Sequence, residues 1–510
     1  MSGRTFHSVR NSVVALAVFI VTLLLQFVSR KVFIDCLGNE VLGLNTTATS
    51  ILQFLNLAEL GVGTAITFAL YKPLNLRDYE TINEIVTLQG WLYRRIAIVV
   101  IVGSLPVMAF FPMIFSKMQL PLWYAYASFS VLLFSSLLSY FVNYKEILLT
   151  ASQQEYKIHC SYRIAMLVKV AFQILFVKYM SNGYVWWLIL EACFAVIASA
   201  VLNLTIRKSF PYLRKCQLTG AELIEKYTDI TVRIKQYFFH KIAGFALFQV
   251  SSIIIYGFTT LTMVAIYGNY MIIVNGIWGL LNAVFNGMAA SIGDLVSEGD
   301  SRHNIKVMRE LFSSRFLVVG VLAFSIFMLV NPFIALWVGS EYVLDKGALL
   351  LIAITFFLNN IRTVVDSYIA AYGLFRDIWA PVVEAILNIG CSVLLGYIWG
   401  LHGILLGVIC SLIVIVFIWK PYFLFTEAIK APCSMYYMMF LKHLVSFVGV
   451  SVATIWMFNI WGTQDVSSFP KLILYSIELV SVFTVLMFSI QYVIEQGMRD
   501  FIKRFIRRSR

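Results

Sequence analysis

Residues 96–115 read IAIVVIVGSLPVMAFFPMIF and contain no charged residue, whereas Arg94 and Arg95 stand directly before them and Lys117 shortly after. About 20 apolar residues suffice for a helix to cross a hydrocarbon core roughly 30 Å thick. The stretch therefore predicts a transmembrane helix. Comparable apolar stretches recur along the chain between residues 11 and 494. They are continuous and do not alternate, which favours helices over the strands of a membrane barrel.

The overall composition points the same way. The mean hydropathy of the 510 residues is +0.84, with 60% hydrophobic and only 13% charged residues. Such a chain supplies far too little polar surface for a soluble globule. The 7 cysteines are scattered without CxxC spacing, so we expect neither disulfides nor a metal site.

The apolar stretches predict an all-α integral membrane protein with about fourteen transmembrane helices. They fall into two sets of six and a final pair. Because six is even, both sets insert with the same orientation, which predicts two pseudo-symmetric six-helix bundles. The predicted domains are the N-terminal bundle (1–206), a cytoplasmic linker (207–236), the C-terminal bundle (237–425), and an extra helix pair with a basic amphipathic tail (426–510).

The basic residues predict the orientation. Of the 39 Lys and Arg residues, 31 fall in alternate gaps between the stretches, six fall in the other gaps, and Lys169 and Arg362 lie within stretches. The positive-inside rule therefore places both termini in the cytoplasm. The spread of basic residues along one membrane face explains the net charge of +13 without a nucleic-acid partner. The first apolar stretch has no cleavage site behind it and is expected to stay as the first helix.

The loops on the outer side are too short to form a catalytic domain. There is no Gly-Lys dipeptide, and hence no P-loop, and no DxD-type carboxylate pair. We therefore predict a secondary transporter that is not an enzyme and needs no cofactor.

Several segments carry a resemblance to a known family. Residues 57–66 read LAELGVGTAI and are followed by LYKPL at residues 70–74. The run from Gly373 to Ser411 contains Asp377, Pro381 and a series of glycines. In this order the segments resemble bacterial polysaccharide flippases, the Wzx-like branch of the multidrug and oligosaccharidyl-lipid exporter superfamily. The resemblance covers roughly residues 35–425.

The resemblance implies a function. It implies a flippase that moves an undecaprenyl-diphosphate-linked oligosaccharide across the bacterial plasma (inner) membrane by alternating access. The glycan would be a repeat unit of O-antigen, as in lipopolysaccharide biosynthesis, of capsule, or of exopolysaccharide. The polyprenyl tail would stay in membrane lipid, and a proton or sodium gradient would supply the energy. A polysaccharide polymerase is a further partner that the resemblance allows.

Polar residues inside the stretches are candidates for lining the substrate path. On the second helix Gln53, Asn56, Glu59 and Gly63 lie within about 120° of arc, at about 100° per residue. The corresponding amide stripe on the eighth helix consists of Asn275, Asn282 and Asn286. Amides donate and accept hydrogen bonds, as sugar hydroxyls require. The alternative is hydrogen bonding between helices.

Charged residues inside the stretches are costly in lipid and are candidates for function. Lys169 has no local partner and is predicted to contact the diphosphate. Arg362 and Asp366, with Asn359 on the same face, are predicted to form either an ion pair or part of the substrate site. Glu384 is predicted to take part in proton coupling, as is Glu59.

Basic residues at the cytoplasmic helix ends, namely Lys72, Arg163 and Lys241, are predicted to capture the diphosphate first, or else to be ordinary membrane anchors. Two other classes remain open. A multidrug-type cation antiporter shares the bundle plan but usually has twelve helices. A membrane polysaccharide polymerase or ligase would need a large outer loop. The basic tail after residue 498 is predicted to lie on the inner leaflet.

Overall fold

The computed structural model describes residues 3–59, 61–285, 292–293, 295–296, 300–374, 376–377, 379–460 and 466–508. Their side chains are described except at residues 3–9, 58, 239–249, 283–284, 301 and 505–508. The described residues are 89% helical and contain no strand. The all-α fold class predicted from the sequence is thus confirmed.

The described chain forms two compact units, Met1–Gly268 and Asn269–Arg510. The helices of the first unit are α1 (Gly3–Leu37), α2 (Asn39–Leu55), α3 (Val62–Leu76), α4 (Tyr79–Ala109), α5 (Phe111–Ile114), α6 (Trp123–Phe141), α7 (Ile147–Ala151), α8 (Glu155–Ile158), α9 (Ile164–Tyr179), α10 (Gly183–Ser209), α11 (Gly220–Lys226) and α12 (Thr228–Phe258). Helix α13 (Leu261–Phe285) runs across the boundary.

The second unit continues with long helices. They are α14 (Ser301–Trp337), α15 (Lys346–Ile361), α16 (Thr363–Ala371), α17 (Trp379–Ser411), α18 (Lys420–Leu424), α19 (Ser434–Ile460), α20 (Phe469–Ile494) and α21 (Gln496–Arg508). Two π-helical segments, Leu412–Trp419 and Phe425–Ile429, flank α18. The predicted domain limits were drawn between membrane passes, whereas these units are defined by contacts between residues. The units therefore do not test the predicted limits, which stay a prediction.

Local sequence explains where several helices begin. Asp78 accepts a hydrogen bond from the Thr81 backbone at the start of α4, and Asp345 does the same for the first turn of α15. At α11, Thr219 and Glu222 cap each other's backbone in a capping box. Each cap satisfies N–H groups that the helix itself leaves unpaired.

The helices account for the predicted number of passes. Within the described residues, 11 helices are long and apolar enough to span a membrane. One of them, Trp379–Ile429, has 51 residues, which at 1.5 Å per residue is roughly twice the length of one pass. It is divided at Gly400, which has a φ of 56°. With this division, the interrupted pair α2 and α3, and the 31-residue α12, the passes reach about fourteen.

Each of the two units has buried aromatic side chains in its interior and apolar side chains on its outer surface, as is typical of membrane proteins. Phe129 and Tyr140 are fully buried in the first unit, and Phe316 and Phe483 in the second. By contrast, 62% of Leu105 on α4 stays exposed, as do many other large apolar side chains on the outer helix faces. A water-soluble protein rarely leaves such continuous apolar surface uncovered, whereas lipid covers it.

Within each unit the long helices pack against one another in pairs. Helix α12 packs against both α2 and α3, α4 packs against α3 and α6, and α10 packs against α6 and α9. In the second unit α14 packs against α15, α20 and α21, and α19 pairs with α20. The tail helix α21 therefore has a protein surface to pack on.

Candidate functional site

The second membrane-crossing segment is interrupted near its middle. Helix α2 ends at Leu55, residues Asn56–Glu59 form a 3-10 turn, and α3 begins at Val62. Gly61 has a φ of 91°, and a Cβ atom added there would lie 2.7 Å from the backbone oxygen of Ile234 in α12. Glycine alone accepts this backbone and this approach without strain. The single continuous helix expected from the sequence is therefore not what forms.

A cavity of about 670 Å³ lies beside this interruption, inside the first unit. It is lined by the four residues of the predicted stripe, Gln53, Asn56, Glu59 and Gly63. Its other polar lining residues are Thr64, Thr67, Gln89, Ser139, Glu146 and Thr150, and its aromatic lining residues are Phe68, Tyr71, Tyr93, Tyr144 and Tyr237. The cavity thus combines hydrogen-bonding groups with flat apolar rings.

Two of the stripe residues also make contacts between helices. The Tyr93 hydroxyl donates a hydrogen bond to Glu59 Oε1 at 3.0 Å. Asn56 Nδ2 donates to the Ser136 hydroxyl at 3.1 Å. The two alternatives considered for the stripe therefore occur together, because these side chains bridge helices and line the cavity.

Gln89 is the most buried polar side chain of the cavity wall, with 1% of its surface exposed. Its Nε2 donates to the backbone oxygen of Tyr144 at 2.8 Å. Its Oε1 is buried and accepts no hydrogen bond from the part of the chain that the structure describes. A buried acceptor without a donor is unfavourable.

A second cavity of about 450 Å³ adjoins the first. Both are lined by Ser139, Glu146 and Thr150, and the second is further lined by Asn143, Glu155, Ile158, His159, Tyr162 and Arg163. Glu146 lies outside the membrane-spanning helices, and burial raises its pKa. The Arg163 guanidinium opposes this shift, and the charge of Glu59 adds to it. Of the predicted capture residues, Arg163 thus lies at a cavity.

Lys169 has a partner that the sequence did not reveal. Its Nζ lies 2.7 Å from Glu191 Oε1 on α10, and Gln173 also donates to Glu191. Both charged side chains are largely buried, with exposures of 13% and 12%. The sequence shows no local partner for Lys169, and the partner that it has lies 22 residues away on the neighbouring helix. Its contact with the diphosphate stays a prediction. Lys169 does not line either cavity described above.

Arg362 and Asp366 form the ion pair that was one of the two alternatives, with Nε and Oδ2 3.0 Å apart. The pair belongs to a larger network. Arg362 Nη1 also lies 3.0 Å from Glu384 Oε1, and Lys420 Nζ lies 2.6 Å from Asp366 Oδ1. Two acids and two bases thus compensate one another across α16, α17 and α18. Glu384, predicted to couple protons, is held in this network, so its role in coupling stays a prediction.

The remaining predicted residues lie elsewhere. Asn275 is exposed and Asn282 half-buried on α13, and neither lines the two cavities. Asn359 donates to the backbone of Thr355 one turn earlier, and Lys72 is exposed near the end of α3. Asn286 and the side chain of Lys241 lie outside the described residues. The functional roles of all these residues stay predictions.

The sequence analysis did not identify several cavity residues, among them Gln89, Tyr93, Tyr144 and Glu146. Gln89 and Tyr93 are four residues apart and therefore share a face of α4. This spacing is a usable signal. Tyr144 and Glu146 lie in the 3-10 turn Asn143–Glu146 between α6 and α7, where the spacing of an α-helix gives no signal.

Comparison with known proteins gives fold-level similarity. No family model matches the sequence, and no curated protein matches it. Among solved structures, the chain is similar to the lipid II flippase MurJ in an inward closed conformation, with a TM-score of 0.66, 13% identity, and coverage of 96% of this chain and 99% of that one. It is also similar to an inward-facing multidrug resistance MATE family transporter of the MOP superfamily, with a TM-score of 0.58, 14% identity, and coverage of 82% and 99%.

The chain has the fold of these transporters. A crystal structure of MATE in the bent conformation is a further match, with a TM-score of 0.52, 15% identity, and coverage of 84% and 96%. The transporter fold expected from the resemblance is thereby confirmed, and the chain is a multi-pass membrane protein. Membership of the superfamily, and of its polysaccharide branch, stays a prediction.

Proposed function

We propose that this protein flips an undecaprenyl-diphosphate-linked oligosaccharide from the cytoplasmic to the outer leaflet of the bacterial inner membrane. The glycan would be a repeat unit of O-antigen, capsule or exopolysaccharide. The observation that carries the proposal is the pair of adjoining cavities in the first unit, one lined by amides, hydroxyls and aromatic rings, the other containing Arg163. The transporter fold supports it, since a lipid-linked substrate is named for one protein of similar fold.

The predicted orientation would place these cavities toward the cytoplasm. Tyr71 lies near the end of α3 and Gln89 near the start of α4, and the positive-inside rule puts both of these helix ends on the inner side. A substrate made on the inner face would then reach the cavities directly. Alternating access would carry it to the outer leaflet.

The chemistry of the cavities suits the two polar parts of the substrate. Amide and hydroxyl side chains such as Gln53, Asn56 and Thr67 can both donate to and accept from sugar hydroxyls. The guanidinium of Arg163 can bind a phosphate group with two parallel hydrogen bonds. The polyprenyl tail, which needs no polar partner, would stay in lipid.

Two carboxyl groups are candidates for coupling transport to protons. Glu59 lines the larger cavity, and Glu146 lines both cavities. Because burial raises the pKa of Glu146, its titration lies closer to neutral pH than that of an exposed glutamate. Protonation from one side of the membrane and release to the other would drive the cycle.

A multidrug-type cation antiporter is the second candidate. The larger cavity holds two carboxyl groups and five aromatic rings, and among its described lining residues there is no Lys or Arg. An organic cation would find charge compensation and cation–π contacts there. MATE transporters share the fold.

The test is a reconstituted flipping assay. Liposomes that contain the purified protein and undecaprenyl-diphosphate-linked oligosaccharide are expected to expose the sugar to an external lectin. They should do so faster than liposomes that contain the same lipid but no protein. An imposed proton gradient should accelerate this. Arg163→Ala should slow flipping about tenfold, and Arg207→Ala, which removes an exposed arginine at the end of α10, should not.

The same liposomes discriminate between the two functions. If the liposomes take up tetraphenylphosphonium in exchange for protons and give no lectin signal, the protein is an antiporter and not a flippase. If the liposomes show neither activity, with or without the proton gradient, both proposed functions are wrong.

A further inference from the structure

We propose that the cavity containing Glu59 and Glu146 is the saccharide subsite, and that it accepts neutral or amino sugars and rejects acidic ones. The inference rests on the proposed function and narrows its substrate. It begins from the charge of the cavity wall.

Two acidic residues line the larger cavity, and the cation that acts on one of them, Arg163 on Glu146, lines the adjoining cavity. Among the described lining residues of the larger cavity, Glu59 and Glu146 are charged and none is Lys, Arg or His. The hydrogen bond that Glu59 accepts comes from Tyr93, which is a neutral donor. A sugar carboxylate placed in this cavity would add a third acidic group to the two that line it, in surroundings that screen charge less than water does.

The adjoining cavity gives the substrate a direction. Arg163 lines that cavity together with Glu146 and Glu155 and does not line the larger one, and Glu146 lies on the wall that both share. A diphosphate therefore has a cation only on the Arg163 side, among the described lining residues. The glycan, which is attached to that diphosphate, then extends into the larger cavity.

The size of the cavity agrees with this assignment. Ligand pockets that enclose molecules of drug size measure roughly 300–1,000 Å³. The cavity of about 670 Å³ thus has room for a short oligosaccharide. Its rings, such as Tyr71 and Tyr237, offer flat surfaces against which sugar rings can pack.

The experiment compares three lipid-linked disaccharides whose glycans are neutral, amine-bearing or acidic. Undecaprenyl diphosphate carrying N,N′-diacetylchitobiose is neutral in its glycan, the same lipid carrying chitobiose has two amines, and the lipid carrying digalacturonic acid has two carboxyls. We expect proteoliposomes to flip the first two at similar rates and the acidic one at least tenfold more slowly. Equal rates for all three would overturn the inference.

Variants identify the source of the discrimination. Glu59→Gln with Glu146→Gln keeps the shape of both side chains and removes both charges, and should raise the rate of the acidic substrate relative to the neutral one by about tenfold. Glu225→Gln, an exposed carboxyl on α11, should leave this ratio unchanged. The ratio is the readout because loss of proton coupling would slow all substrates together. An unchanged ratio in the double variant would count against the inference.

A binding measurement covers the case in which the double variant does not transport. Saturation-transfer NMR on detergent-purified protein, with the three free disaccharides as probes, should show the acidic disaccharide binding to the double variant and not to wild type. Its binding to wild type as strongly as the neutral disaccharide would refute the subsite's selectivity. Failure to flip any of the three lipids would instead remove the proposed function, whereas equal flipping removes only this inference.

Discussion

Lys169 and Glu191 illustrate what a buried charge can mean in a membrane helix. A lone lysine near the middle of a pass suggests a binding site, but this one is compensated at 2.7 Å by a carboxylate on the next helix. Breaking a buried pair leaves the remaining charge without a partner, and is costly, whereas removing both members is often nearly neutral.

The first prediction follows from this pair. Lys169→Met should destabilise the protein by about 3–5 kcal/mol, because Glu191 would be left buried and unpaired. The double variant Lys169→Met with Glu191→Leu should recover most of that stability and flip at a rate near that of wild type. Melting temperature in detergent and the lectin assay measure the two effects. A stable double variant that cannot flip substrate would instead place Lys169 in the transport path.

The second prediction concerns Glu146 and Arg163. The positive charge of Arg163 lowers the pKa of Glu146 against the larger effect of burial. Removing that charge with Arg163→Ala makes the carboxylate less favourable, so the pKa of Glu146 should rise further. The acidic limb of the pH–rate profile should then move to higher pH, while Arg207→Ala leaves it in place. A shift to lower pH would contradict the assigned interaction.

At this scale the sequence could predict only part of the site. Gln53, Asn56 and Glu59 were identified because helical spacing places them on one face, and Arg362 with Asp366 because they are four residues apart. Partners on other helices could not be predicted. Glu191, Glu384 and Lys420 lie 22 to 54 residues from the charges they compensate, and no spacing rule covers packing between helices.

At the scale of elements, the interruption between α2 and α3 shapes the cavity. The 3-10 turn Asn56–Glu59 and Gly61 redirect the chain where α12 approaches it. Hydropathy alone could not predict this interruption, because the segment is apolar on both sides of it. The glycine was visible in the sequence, but its positive φ is set by the neighbouring helix.

The third prediction tests that glycine. Gly61→Ala should destabilise the protein by about 1–3 kcal/mol, because a Cβ atom there meets the Ile234 backbone at 2.7 Å and the φ of 91° disfavours any side chain. Gly257→Ala is the matched control, since nothing lies within 4 Å of an added Cβ and no positive φ is required. Thermal unfolding of the two variants in detergent measures the difference. Equal melting temperatures would show that α12 yields easily at this contact.

The tail helix α21 differs from its expected setting. It packs on α14 and α20, and Arg504 Nη1 lies 3.2 Å from Glu310 Oε2. Lys306 and Asp500 are a further, looser pair at 4.0 Å. An amphipathic helix needs an apolar surface on one side, and here part of that surface is protein. Contact of its basic residues with the inner leaflet stays a prediction.

At the scale of the whole molecule, the number and type of helices followed from the sequence because lipid enforces both. A chain in the hydrocarbon core must satisfy every backbone polar group internally, so long apolar stretches can only be helices. The exact passes were harder to identify where a helix is interrupted, as at Gly400, or where two passes follow without a polar loop.

The fourth prediction concerns orientation. With both termini in the cytoplasm, green fluorescent protein fused after residue 510 should fluoresce in bacterial cells, and alkaline phosphatase fused there should be inactive. Alkaline phosphatase fused after Ser467, in the predicted outer loop, should be active. Phosphatase activity at the C-terminus would reverse the orientation and with it the side from which the cavities are loaded.

Glu146 lies on the wall between the two cavities and lines both of them. A ligand in one cavity that changes the charge or the position of this side chain also changes the affinity of the other cavity, and thermodynamics requires the effect to be equal in both directions. Headgroup and sugar would then not bind as independent anchors. Each would then alter the binding of the other, so that the affinity for a lipid carrier without its glycan would not equal the contribution that the carrier makes within the complete molecule.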